Sequence, residues 1–370
     1  MKGASGGGRL VLSLSEPTYR RPPIMFFAGL DLSRKRLDVH VVDAGGATVL
    51  ETAAPPDADG LRGLVERLDA FGPVCAAIES MNGARFVHDR LEQLGWDVEI
   101  ADAQKVKGLA PLACKTDRID AWVLAELGRR DLVPAIWLPD PAVRAERERA
   151  RWRLHLVRHR VQLKNRVHAT LIAFGTPCPV SDLFGARGRR LLDRLGVPDP
   201  WRSDLLAAVA LIDELDREID DCACELRRLG ADHRYVPLLT SIPGIAWVLG
   251  YTIAAEIGDI NRFASAKKLC GYTGLCPRVY QSGATDHRGP LTRNGPKFLR
   301  WALIEAAVHA ARHPLYHEHY QRTARRLGKQ RGKKIARVEI ARKLAEAIWH
   351  MLTHNQPFAP AGPTRSALAA

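Results

Sequence analysis

The sequence predicts a mixed α/β domain followed by a mainly helical region. Three observations carry this. From residue 25 to about 140, short apolar strand-like runs alternate with amphipathic helical periods. Beyond 140 the strand pattern stops, and two long helical stretches follow, separated by a Pro/Gly-rich break. The chain has 370 residues, 46% of them hydrophobic, which suffices for two or three packed cores.

Residues 1–24 lack a period and are rich in Gly, Ser and Pro at their ends, so they read as a disordered extension, with Met25 as a native start before the first strand. FFAGLDL (26–32) is an apolar strand. RLDVHVVDA alternates apolar and polar residues, Gly45-Gly46 marks a turn, and ATVLETAA is a third strand, so the three form an antiparallel meander. DADGLRGLVERLDAFG is an amphipathic helix and VCAAIES (74–80) a buried strand. GARFVHDRLEQLG is a helix ending at Gly95, WDVEIAD a last strand, and DRIDAWVLAELGRR a closing helix. This first domain spans 25–140.

PAVRAERERARWRLHLVRHRVQLKNRVHATLIAF (141–174) has no Gly and a Pro only in its first turn, so it reads as one helix. Leu154, Val157, Val161, Leu163, Val167 and Leu171 give it an apolar stripe, and arginines coat the rest. After the break GTPCPVSDLFGARG comes a second helix, 203–229, with an acidic outer face. Residues 141–232 therefore form a helical hairpin or coiled-coil connector. Residues 233–356 are mostly helical: 238–258 gives two apolar helices around a Pro-Gly turn, 271–307 is loop-rich, and KKIARVEIARKLAEAIWHML is the last helix. Residues 357–370 are a loose tail.

Lys and Arg outnumber Asp and Glu by 55 to 41, for a net charge of +14. An excess of this size favours a polyanionic partner, with counterion release adding affinity. The seven cysteines are scattered without C-x-x-C spacing, which argues against a zinc ribbon; their odd number fits a reducing cytoplasm. No apolar run reaches the roughly 18 residues of a membrane span. The expected location is the cytoplasm, at DNA.

Four acids stand out. Asp31 lies in the first strand, Glu79 closes the fourth, and Asp117 and Asp120 open the following helix. Residues three apart share a helix face, so the last two point to one place. Carboxylate oxygens suit Mg²⁺, and one or two such ions can assist phosphoryl transfer. Asp117 and Asp120 alone would also suit a helix N-terminus. The order of all four is that of ribonuclease-H-like nucleases.

Other segments point to nucleic acid. Around Ser241-Ile-Pro-Gly-Ile245, two apolar helices and a tight turn resemble a helix-hairpin-helix element, in which backbone N–H groups at Gly244 receive a phosphate; an ordinary helix connection is the alternative. Arg278, Arg288, Arg293, Lys297 and Arg300 are strewn through 271–307 as candidate phosphate clamps. Ser282, between Gln281 and Gly283, can act as a nucleophile if its hydroxyl is activated; otherwise it is a turn residue. Arg151, Arg158 and Lys164, with Trp152, fit backbone contact. His309, His313, His317 and His319 are interrupted by Pro314 and read as surface near nucleic acid rather than as a metal site.

The chain resembles the DEDD-type transposases of the insertion sequence 110 family, the serine-assisted bridge recombinases. The resemblance runs from Phe26 to about Phe358, through GLDLSRKRLDVHVVD, AIESMNGA, CKTDRIDAWVLAEL, LLTSIPGIAWVLGYTIAAEIGDINRFASAKKLCGYTGLCPRVYQSG and RNGPKFLRWALIEAA. It implies a RuvC-like domain, a coiled-coil connector and a C-terminal transposase domain. It places the family's four acids on Asp31, Glu79, Asp117 and Asp120 and its serine on Ser282. It further implies a bacterial, nucleoid-associated enzyme that moves a mobile element, forming a phosphoserine link to double-stranded DNA. A structured noncoding guide RNA and a homo-oligomer, dimer or tetramer, belong to the same implication. Two departures are Arg293, where the family has Lys, and the N-terminal extension. A RuvC-like nuclease using water and an inactive nucleic-acid-binding remnant are the competing readings.

Overall fold

The computed structural model describes residues 25–109, 116–176, 178, 180–283 and 285–360. The 1–24 extension, Cys114 and Lys115, and residues 361–370 of the tail lie outside the described residues. The chain divides between Leu138 and Pro139 into two compact units.

In the first unit, β1 (Phe26–Leu32), β2 (Leu37–Val42) and β3 (Thr48–Ala54) form the expected antiparallel meander. α1 (Ala58–Leu68) leads to β4 (Val74–Glu79), and α2 (Ala84–Gln93) to β5 (Asp97–Ala101). Each crossover returns the chain parallel, giving one five-stranded sheet of order β3-β2-β1-β4-β5. α3 (Ala103–Leu109) and α4 (Asp117–Arg129) complete the unit. The interior strands β1 and β4 are almost continuously apolar because both sheet faces are covered. Leu30, Ile78, Leu61, Leu64 and Leu91 fill one core, and Ala77, Val123, Leu124 and Leu127 fill the other, under α4. α3 was not predicted; of its seven residues only Val106 is buried, too few to write a helical period.

The second unit opens with α5 (Pro141–Ala173), followed by α6 (Ala186–Asp193) and α7 (Trp201–Ala231). The predicted break thus holds a short helix. Arg149 meets Glu225 at 3.3 Å and Arg160 meets Asp216, so rising numbers on α5 meet falling numbers on α7. The two helices form an antiparallel hairpin within one chain. The acidic outer face of α7 is present in Glu214, Glu218, Asp220 and Asp221, all exposed, while Asp216 and Glu225 pair with arginines of α5 and Asp213 with Arg189 of α6.

α8 (Val236–Leu239) is a single turn, shorter than the apolar helix expected before the Pro-Gly turn. α9 (Trp247–Ile257) is apolar nearly all round and lies at the centre of the unit's core. α10 (Ala266–Thr273) precedes a hairpin of β6 (Pro277–Ser282) and β7 (Thr285–Leu291). The segment 271–307, expected as loop, is therefore largely strand and helix. Its glycines and prolines obscured an alternation that no buried face reinforces. α11 (Lys297–Ala310), α12 (Pro314–Arg326) and α13 (Gly328–His354) close the unit. Pro314 starts α12, where its missing N–H costs nothing. Among the described residues no helix is long and apolar enough to cross a membrane.

Candidate functional site

The sheet sets out the acids in a row. β1 and β2 pair Asp31 directly with Asp38, and β1 and β4 run parallel with Leu30 beside Ile78, which brings Glu79 next to Asp31. α4 supplies the other two. Its Thr116 cap accepts a hydrogen bond from the Ile119 N–H at 3.3 Å, so the helix begins at Asp117. The small residues Ala121, Ala125 and Gly128 face β1. Gly128 lies over Phe27, while a methyl on Gly29 would fall 1.7 Å from the Ala121 carbonyl oxygen and 2.5 Å from the Ala125 nitrogen. α4 therefore runs antiparallel across β1 at backbone contact, and its first turn arrives over Asp31.

The electrostatics agree. The Asp31 carboxyl is pushed up to about 6, by burial first and then by Asp117, Asp120, Glu79 and Asp38. Asp38 had not been singled out. The hairpin register would have found it, since residues 31 and 38 stand opposite each other across the turn. Arg36 offsets its charge through contacts of 2.9 and 3.1 Å. Among the described residues no three His, Cys, Asp or Glu side chains are closed up to hold a metal ion. The donor set nevertheless suits a hard cation: oxygen ligands only, with mutual repulsion that a positive charge would relieve.

A pH dependence follows. The folded-state value lies above the ordinary carboxylate range near 3.9, so protonation of Asp31 favours the fold. Its contribution is greatest below about pH 4, falls as the pH rises through about 6, and is level beyond. Asp31→Asn should raise the melting temperature of the ion-free protein at neutral pH by a few degrees. That gain should vanish in melts recorded below about pH 4; a gain that persists at acid pH would refute the repulsion.

Ser282 lies in the second unit, exposed at the end of β6. The register pairs it with Thr285 and pairs Tyr280 with His287, so these four side chains share one face of the hairpin. Tyr280 and His287 were missed because a segment read as loop has no faces. Arg278 is exposed on β6, Arg288 pairs with Asp286 at 3.3 Å, and Arg293 is exposed with a φ of 55°. Arg300 donates to the carbonyls of Thr273 and Asn294 at 3.2 and 3.4 Å; burial and Arg293 lower its pKa.

Several predicted backbone contacts have other occupations. Arg151 holds the fully buried Glu256 by donating from Nε and Nη2 to its two carboxylate oxygens, at 2.7 and 3.0 Å. A buried carboxylate demands such a partner, which corrects the picture of Arg151 as a free phosphate contact. Arg158 and Lys297 stand over the Phe298 ring at 5.4 and 5.1 Å, and Lys164 over Phe184 at 4.8 Å. Gly244 has a φ of 92°, and a methyl there would meet the Ala306 oxygen and Ala310 nitrogen at 2.6 Å. It is the point where the Pro-Gly turn seats on α11. His313 caps α12, and His319 pairs with Glu339 at 3.1 Å.

A carboxylate cluster on this mixed sheet, in a basic chain with a second helical unit, fits the class of DNA-processing enzymes. Comparison with known proteins makes this specific. Residues 28–174 match a model for DEDD-type IS110 transposases, described as "Transposase", and residues 236–322 match "Transposase IS116/IS110/IS902 family". The transposase for insertion sequence element IS1328 of Yersinia enterocolitica is 27% identical over 91% of this chain and 99% of its own length. The transposase for IS1111A of Coxiella burnetii is 25% identical over 77% and 79%. The pilin gene-inverting protein of Moraxella bovis is 29% identical over 66% and 68%. The chain belongs to the IS110/IS116/IS902 family of insertion-sequence transposases.

Proposed function

We propose that this transposase cleaves and exchanges DNA strands by metal-assisted phosphoryl transfer with Ser282 as the nucleophile. The observation that carries the reading is the convergence of Glu79, Asp117 and Asp120 on Asp31 at one end of the sheet. The sheet order β3-β2-β1-β4-β5, three antiparallel strands then two parallel, supports a RuvC-like, ribonuclease-H-like catalytic unit. In this reading the α5–α7 hairpin is the coiled-coil connector, and the α8–α9 turn is a helix-hairpin-helix-like element in the transposase domain.

Asp31, Glu79, Asp117 and Asp120 would hold one or two Mg²⁺ ions, which supply positive charge to the transferring phosphate. The Ser282 oxygen bonds to phosphorus while the bond from phosphorus to the leaving strand oxygen breaks. The hydroxyl proton passes to a base, for which the imidazole of His287 shares the face, and the leaving oxygen gains a proton. A hydroxyl of the partner strand end then bonds to the phosphorus while the bond from phosphorus to the Ser282 oxygen breaks, and the serine oxygen regains the proton from the base. Arg278 and Arg293 are exposed cations of the same segment for gripping the phosphate, and Arg288, paired with Asp286, is a third. Double-stranded DNA of the element ends and target is the substrate, a structured noncoding RNA from the element is the guide, and a dimer or tetramer brings the acids and the serine together.

The test is covalent trapping on DNA carrying the element ends, with magnesium present. Wild-type protein should yield a detergent-resistant protein–DNA adduct. Ser282→Ala and Asp117→Asn should bind the same DNA and yield no adduct and no cut, a loss of at least about a thousandfold. Cutting to free ends by Ser282→Ala would replace the serine route with hydrolysis by water.

A further inference from the structure

The short helix α6 carries a feature that the catalytic reading does not use. Arg187, Arg190 and Arg194 all lie exposed along one side of a groove of about 430 Å³, beside Val180 and Leu191. At about 100° per residue these three positions fall within an arc of about 60° on one helix face. None of the three makes an ion pair or a side-chain hydrogen bond among the described residues. Their neighbours differ. Arg189 grips Asp213 of α7 and donates to the Phe184 carbonyl at 2.8 Å, and Arg202 donates to the Leu195 carbonyl at 2.7 Å. The fold thus uses two arginines of this segment to fix α6 on α7 and leaves three together. Like charges at this spacing repel, so the arrangement lowers helix stability by itself.

We propose that Arg187, Arg190 and Arg194 form a docking site for the phosphate backbone of duplex DNA. The site rests on the reading that this transposase binds DNA, and adds to it a contact by residues outside the proposed catalytic set. Guanidinium forks match phosphate oxygens. α6 is anchored through Leu192, which is buried, and through Arg189, so the three arginines leave the helix at fixed backbone positions in a row. A fixed row suits a regular, stiff array of phosphates. Single strands are gripped by stacking their bases on aromatic rings, and among the described residues no ring lines this groove. The nearby Phe184 ring is already covered by Lys164 and by His168.

The experiment is a salt titration of full-length protein binding a duplex DNA of random sequence. Each phosphate contact contributes about 0.9 to the slope of log affinity against log salt. Changing all three arginines to Ala should reduce that slope by about 2.7 and weaken binding at least about tenfold near 0.1 M salt. Replacing all three with Lys should restore most of the slope. The three are exposed and repel one another, so the melting temperature should not fall; if it falls, Arg190→Ala alone should lower the slope by about 0.9. A triple-Ala protein with the wild-type slope overturns this site while leaving DNA binding intact. Wild-type protein with no salt-dependent DNA binding overturns the DNA reading itself, and the site with it. Loss confined to a duplex RNA probe overturns the assignment to DNA.

Discussion

Gly29→Ala should unseat α4 and remove both stability and activity. The added methyl would stand 1.7 Å from the Ala121 carbonyl oxygen and 2.5 Å from the Ala125 nitrogen, both backbone atoms that no rotamer change can move. α4 must retreat from β1 as a body. Overpacking of this kind costs about 3 kcal/mol at the upper end of its usual range, and a backbone neighbour puts this site there. The movement also carries Asp117 and Asp120 away from Asp31. Chemical denaturation should show a midpoint lowered in proportion, and strand cleavage should be lost even where the protein still folds. Gly29→Val should be worse. A variant with wild-type stability would mean that α4 does not rest on β1.

The second large effect lies in the other unit. Glu256 is 0% exposed at the C-terminal end of α9, held by Arg151 of α5, while Arg147 donates to the carbonyls of Ala255 and Glu256 at 2.8 and 2.7 Å. Arg147 thereby satisfies carbonyls that the end of α9 leaves without helical partners. Glu256→Ala strands the Arg151 charge beside a void and should cost about 3–5 kcal/mol. Combining Glu256→Leu with Arg151→Met removes both charges and should recover much of that loss, since hydrophobic replacement of a buried pair is often neutral. Equal stability of Glu256→Ala and wild type by denaturant titration would show that the pair contributes nothing to holding α5 on α9.

The first unit was legible because its strands are buried on both faces and its turns carry Gly or polar signals. β1 falls on the residues read as a strand, 26–32, and α4 begins at Asp117 as expected. Gathering of the acids was legible too, since strand order and helix spacing decide it. Asp38 was not, because a cross-strand partner appears only once the hairpin register is fixed. Nor was the duty of Arg151, whose partner lies 105 residues away. A basic coat on a helix looks the same in sequence whether its arginines meet solvent, an aromatic ring or a buried carboxylate. The β6–β7 hairpin was lost for a different reason: with nearly every side chain exposed, it has no apolar alternation to read.

That same ribbon has a bearing on where Ser282 stands. A two-stranded hairpin keeps its shape only weakly in water unless something covers a face of it. On the proposed serine route, the hydroxyl at its tip would be steadied by whatever clasps the ribbon, and its aim would be a property of the loaded assembly more than of the bare polypeptide.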